Sequence, residues 1–284
     1  MTRRWGAIEA ASQAIVPRRP FAIGGVVVGS VAAGHLPALQ GLSGALRVRP
    51  EGVELQAPAA ERDATLAQIN AALREHGLIR AWRNELYPVP SPSGGPPLAA
   101  IERASSRFWG TATLGAHCTG WVAGADGRPA ALWIAQRAFD KATDPGAFDN
   151  LVGGGVPLGQ SPCDTLLREG WEEAGLTVEV MRRSRPGRVL QLQRDIPEGL
   201  QLEWIHSHDL QLQPDERPAN QDGEVHAFSC LPVAEALDLA AGDTMTVDAA
   251  LVTLDFALRH ALLPPAEAAE VAARAAALWR GPAA

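Results

Sequence analysis

Glu169, Glu172 and Glu173 fall within five positions of one another in the run SPCDTLLREGWEEAGL (161–176), and few spacings in the chain point so directly at chemistry. On a helix, residues three and four apart share a face, and like charges placed there repel. The segment supplies little positive charge on that side, so a cation from outside the chain is the natural partner. Clustered carboxylate oxygens suit a hard divalent ion. Magnesium takes a few carboxylates and completes its shell with water and phosphate.

The surrounding residues set up the helix. Ser161 is a good N-cap, Pro162 a good first residue, and Gly175 a good stop. Leu167, Trp171 and Ala174 are spaced as the apolar side, which leaves the carboxylates outside the core. A glycine-rich loop, GGGVPLGQ, runs into the helix.

Gly154, Gln160 and the run Arg168-Glu169-Gly170-Trp171-Glu172-Glu173-Ala174-Gly175-Leu176 resemble the Nudix box. Two positions depart from its pattern: Gln160 replaces a glutamate and Gly170 an aliphatic residue. The glycine costs the helix about 1 kcal/mol relative to alanine. WRNELYPV, IERASSRFWG, GAHCTGWV, LWIAQR, DKATDPGAFDNLVGGGVP and DGEVHAF extend the likeness over most of residues 20–240. Together they resemble the Nudix subgroup related to thiamine pyrophosphokinase proteins, which carries an extra N-terminal domain.

The resemblance implies an α/β protein, a Nudix α/β/α sandwich with a small α+β N-terminal domain and C-terminal helices. It implies magnesium, with manganese as a substitute, held by Glu172 and Glu173, joined by Glu169 and the Gly154 carbonyl. Arg168 would orient Glu169, and Glu224 would add a metal ligand. The general base is then Glu169 or Glu224. Arg137 and Lys141, just outside a strand, are candidates for substrate phosphate, with a solvent-facing charge as the alternative. The small-molecule substrate implied is a diphosphate: thiamine diphosphate or its oxidised derivatives first, nucleoside diphosphate derivatives second. Gln160 keeps open a weakly active phosphate-binding module, and His117 with Cys118 an enzyme like isopentenyl diphosphate isomerase. Trp133 and Trp204 read as core, and His206 and His208 as polar strand residues without a third metal ligand.

The bulk composition agrees with a globular enzyme. With 284 residues, 46% hydrophobic and 20% charged, the chain can bury one large core or two smaller ones. A net charge of −7 provides no broad basic field for nucleic acid or anionic membrane. Cys118, Cys163 and Cys230 form no CxxC pair, which disfavours a disulfide framework and fits a reducing cytoplasm. The apolar run at 18–35 is interrupted by Gly24-Gly25, a hairpin signal, and is too broken to span a bilayer. The stretch PSPSGGPP (90–97) reads as a linker, dividing an N-terminal domain, 1–97, from the Nudix part, 98–284. In the first part the sequence predicts two hairpins, turned at Gly24-Gly25 and at Pro50–Gly52, then a helix ending at Gly77. From Pro232 onward it predicts two or three helices.

Overall fold

Short alternating runs and tight turns shape the first unit of the chain, whose computed structural model describes residues 3–280. After a single helical turn, α1 (Ala7–Ala10), come hairpin strands β1 (Arg18–Ile23) and β2 (Val26–Ala32). Gly24 and Gly25 turn it with φ of 57° and 83°, the left-handed values a two-residue hairpin turn requires. Helix α2 (Leu36–Leu39), strands β3 (Leu46–Arg49) and β4 (Gly52–Leu55), and helix α3 (Arg62–Glu75) follow. The sheet order is β2-β1-β4-β3, with β1 and β4 parallel. Leu66, Ile69 and Leu73 of α3 share a core with Phe21, Ile23, Val53 and Leu55 of the sheet.

The expected linker is a turn. Residues 90–97 close a hairpin between β5 (Leu86–Val89) and β6 (Ala99–Glu102). Val89, Ala99 and Ile101, with Phe108 and Trp109 of α4 (Ser105–Trp109), belong to the core beneath α3. The boundary expected at residue 97 therefore lies after Trp109, because proline and glycine mark a reversal inside a unit as readily as a passage between two. The other end differs as well: Trp5, Ala7, Ile8 and Ala11 pack with the helices that end the chain.

The second unit is built on long strands. β7 (Thr113–Ala123), β8 (Pro129–Arg137), β9 (Phe148–Asp149) and β10 (Val152–Gly155) lead into α5 (Pro162–Ala174) and α6 (Val178–Met181). The hairpin β11 (Arg185–Ile196) and β12 (Gly199–Gln211) precedes β13 (Val225–Pro232). Helices α7 (Val233–Ala241), α8 (Val247–Arg259) and α9 (Pro265–Ala275) and a short strand β14 (Trp279–Arg280) complete it. The sheet order is β13-β8-β7-β12-β11-β14, with β7 and β12 parallel. Cys118, Leu151 and Leu210 form a core with Leu166 and Met181 on the side of α5 and α6. Leu132, Leu190 and Ile205 do so with α7, α8 and α9 on the other, which makes the α/β/α sandwich expected. No helix among the described residues is long and apolar enough to cross a membrane.

One edge of β7 forks. Its residues 115–118 pair with β10 and residues 120–123 pair with β8. Leu151 fills the fork against Gly120, where an added Cβ would meet Leu151 Cδ2 at 2.5 Å. The strands part toward the site described next.

Candidate active site

Helix α5 starts on a reciprocal cap. Ser161 Oγ accepts from the Asp164 N–H at 3.1 Å, and the Asp164 carboxylate accepts from the Ser161 N–H at 3.0 Å. It stops at Gly175 (φ 63°), where the Leu176 N–H donates to the Gly170 carbonyl at 2.9 Å. The buried stripe, however, is Leu166, Gly170 and Ala174, whereas Trp171 is 54% exposed. The reason is Gly170: a Cβ there would lie 2.5 Å from Met181 Cγ, so the missing side chain admits α6. That rotation carries Glu173 to the edge of the stripe, only 6% exposed, so the carboxylates do not all stay outside the interior as expected.

Glu169, Glu173 and Glu224 line a cavity of about 520 Å³ together with the backbone of Gly153, Gly154 and Gly155. Gly154 is a close approach: an added Cβ would stand 2.3 Å from Glu169 Oε1. The Gly153 N–H donates to Glu173 Oε2 at 3.0 Å. Arg168 donates to Glu169 Oε1 at 2.8 Å, to Glu172 Oε2 at 2.6 Å and to Gln160 Oε1 at 3.4 Å. Gln160 therefore still offers the arginine an oxygen. Burial raises the pKa of Glu169, and burial followed by the charge of Glu169 raises that of Glu173 well above the carboxylate range. Burial also pushes Glu224 up, but Lys141, Arg83 and Arg103 face it and bring it below its ordinary value.

These donors fit a divalent ion of magnesium's habits, though not as a closed cage. Among the described residues no three histidine, cysteine or acidic side chains converge as a ready-made metal group. Magnesium does not need one, since it keeps waters and takes substrate phosphate beside one or two carboxylates. The mutual repulsion that raises Glu173 is what a cation would relieve. The Glu172 carboxylate pairs with Arg168 at 2.6 Å and keeps 40% of its side chain exposed.

The two cations expected at phosphate lie in the cavity wall, each paired with an acidic residue of the same wall. Arg137 donates to Asp149 Oδ2 at 2.9 Å and to the carbonyls of Asp144 and Thr143 at 3.2 and 3.0 Å. Lys141 is paired with Glu224. Each lines the cavity but already has a carboxylate partner, since a cation beside so many acids pairs with one of them. Sequence reasoning missed Arg80, Arg83, Arg103, Arg107 and Arg194, which also line it. For Arg83, Arg103 and Arg107 the one signal was their place in WRNELYPV and IERASSRFWG, which the β5–β6 hairpin brings together, and for Arg80 and Arg194 there was none. His117 lines the cavity and its Nδ1 lies 3.1 Å from Asn150 Oδ1, while Cys118 faces the α5 core, fully buried, its thiol pKa pushed far up by burial. Trp133 and Trp204 are half-buried in the sheet and do not line the cavity.

Comparison with known proteins agrees with this arrangement. The NUDIX domain description matches residues 116–250, and a domain of unknown function, DUF4743, matches residues 4–113. Nudix hydrolase 24, chloroplastic, of Arabidopsis thaliana is 35% identical over 206 residues, 72% of this chain and 56% of that protein. Nudix hydrolase 20, chloroplastic, of the same plant is 35% identical over 207 residues, 72% of this chain and 54% of that protein. The chain thus spans a little over half the length of these relatives. The solved structure of DR0079 from Deinococcus radiodurans superposes with a TM-score of 0.47 at 18% identity, over 61% of this chain and 99% of that one. The chain carries a Nudix domain over residues 116–250, follows a DUF4743 domain with it, and is related in sequence to the plant Nudix hydrolases.

Proposed function

We propose that the chain is a divalent-cation-dependent Nudix hydrolase that cleaves an organic diphosphate to its monophosphate. The observation that carries this reading is the shared cavity, which Glu169, Glu173 and Glu224, the Gly153–Gly155 backbone and several arginines line together. A cavity with both carboxylates and guanidinium groups in its wall suits linked phosphates, one bridged to carboxylates through a cation and one met by guanidinium.

Glu169, Glu172, Glu173, Glu224 and the Gly154 carbonyl would hold magnesium or manganese. When bound, the ion neutralises phosphate charge and activates water. The chain's own groups do the rest. Arg168 fixes one oxygen of Glu169, and the Gly153 N–H fixes one of Glu173. Glu169 Oε2 is left to take a proton from water, and burial raises its pKa, the direction a general base needs.

Thiamine diphosphate and its oxidised derivatives head the substrate panel on the likeness of the flanking segments, and nucleoside diphosphate derivatives come next. Among the described residues no phenylalanine, tyrosine or tryptophan lines the cavity, whose wall is mostly charged, so the diphosphate is the part it suits best. The isomerase alternative loses its support with the Cys118 thiol buried away from the cavity.

The test is incubation of the purified protein with this panel, with magnesium, manganese or EDTA, scoring monophosphate and inorganic phosphate. Turnover should require the metal, and Glu169→Gln should lower kcat by roughly 10²-fold or more. If no diphosphate is cleaved with either ion, the proposal falls.

A further inference from the structure

We propose that Arg83, flanked by Arg80 and Arg103, grips the substrate phosphate farther from the carboxylates, so that the N-terminal unit supplies one wall of the active site and selects diphosphates over monophosphates. This rests on the hydrolase reading but adds a binding residue and a basis for selectivity.

Every charged residue that the first unit contributes to the cavity wall is an arginine: Arg80, Arg83, Arg103 and Arg107. Three of them are committed. Arg107 pairs with Glu203 at 3.1 Å, Arg103 with Glu85 at 2.9 Å, and Arg80 donates to the Gly77 carbonyl at 3.2 Å. Among the described residues the Arg83 guanidinium has no hydrogen-bond or ion-pair partner, and its bonded atom is the backbone N–H. An unpaired guanidinium over a cavity is a fork ready for a phosphate.

The backbone that presents Arg83 is held at a cost. Ala81 and Asn84, on either side, have φ of 56° and 58°. Non-glycine residues in that region cost about 1–2 kcal/mol each and persist where the surroundings over-determine them. Here the surroundings are visible. Glu102, 5% exposed, accepts from the Arg83 N–H at 2.8 Å. Trp82 Nε1 donates to Asn84 Oδ1 at 2.9 Å, and the Arg74 guanidinium lies 4.8 Å from the Trp82 ring centroid. A strained loop fixed from three sides, ending in a free arginine, is arranged for a ligand more than for the fold.

A diphosphate can meet both walls at once. A monophosphate product meets one, which aids its release.

The test compares the full-length protein with Arg83→Ala, Arg83→Lys and, as a control, Arg49→Ala, an exposed β3 residue paired with Glu51 at 3.8 Å. Calorimetry with magnesium uses inorganic pyrophosphate and inorganic phosphate as probes. Arg83→Ala should weaken pyrophosphate binding about tenfold, leave phosphate binding nearly unchanged, and raise KM for cleaved substrates with kcat largely kept. Arg83→Lys should recover part of the loss, and Arg49→Ala should match wild type. Equal pyrophosphate binding by wild type and Arg83→Ala overturns the proposal, as does a wild type that binds pyrophosphate no better than phosphate. Because binding is read without turnover, the two readings separate. A protein that binds pyrophosphate through Arg83 yet cleaves nothing sinks only the hydrolase, and one that cleaves diphosphates indifferently to Arg83 sinks only this inference.

Discussion

Gly154 concentrates the demands of the site into one position. Its carbonyl belongs to the cavity wall, and its missing side chain lets Glu169 lie against β10, with Cδ and Oε1 only 2.6 and 2.3 Å from where a methyl would be. Glu169 cannot simply swing away, because Arg168 holds it at 2.8 Å. Gly154→Ala should therefore push the carboxylate or helix α5 aside and lower kcat by about tenfold to a hundredfold. The melting temperature should move only by a few degrees, as the strand pairing with Ala116 is kept. Steady-state kinetics beside thermal unfolding would decide, and an alanine variant with full kcat would refute the close-approach account. Part of this was legible beforehand: Gly154, Glu169 and Glu173 were marked by the motif and Glu224 by the likeness of the segment DGEVHAF, and all four line one cavity. Arg83 was not legible, because its place in the cavity wall depends on how β5 and β6 pair, a long-range event that local pattern does not encode. Glu172 was marked by the same spacing, and its carboxylate pairs with Arg168, four residues before it, as helix geometry allows.

At the scale of elements, the departure at Gly170 turns from a defect into a packing solution. Where the family pattern has an aliphatic side chain, this helix leaves a gap that Met181 of α6 fills from outside, with Cγ, Sδ and Cε all within 3 Å of the absent Cβ. Methionine is flexible enough to take such a space. Helix propensity alone predicts that Gly170→Ala stabilises by about 1 kcal/mol, whereas overpacking costs about 1–3 kcal/mol. The clash should win or cancel, giving a net loss of about 0–2 kcal/mol in urea unfolding. Shortening the neighbour should reverse the sign: in a Met181→Ala background, Gly170→Ala should become stabilising. A gain of about 1 kcal/mol from Gly170→Ala alone would show that α6 is not held against the helix. Residues 90–97 read differently from a linker for a related reason: composition marked a break in regular structure but could not say that both arms return to one core.

The whole molecule is closed by its first residues. Trp5 is fully buried among the terminal helices, its Nε1 donating to Glu267 Oε1 at 3.1 Å across 262 positions of sequence. From there the chain runs along β11: the Gln193 N–H donates to Ala11 O at 2.8 Å, the Asp195 N–H to Gln13 O at 2.9 Å, and the Asp195 carboxylate accepts from the N–H groups of Ile15 and Val16. Asp195 also lines the cavity, so this strap ties the wall of the site to the helical layer before the N-terminal unit begins. Cutting at residue 97 would accordingly remove part of the Nudix core while leaving Ile101, Phe108 and Trp109 without the core they fill. Trp5 isolates the point in one side chain. Trp5→Ala should cost about 3–5 kcal/mol, the usual range for a buried aromatic removed from a core. The loss should appear in the unfolding of the catalytic unit, followed by hydrogen exchange of α8 and α9, and not first in α3. A variant losing less than about 1 kcal/mol, or loosening α3 before α9, would mean that the first residues decorate the fold instead of closing it.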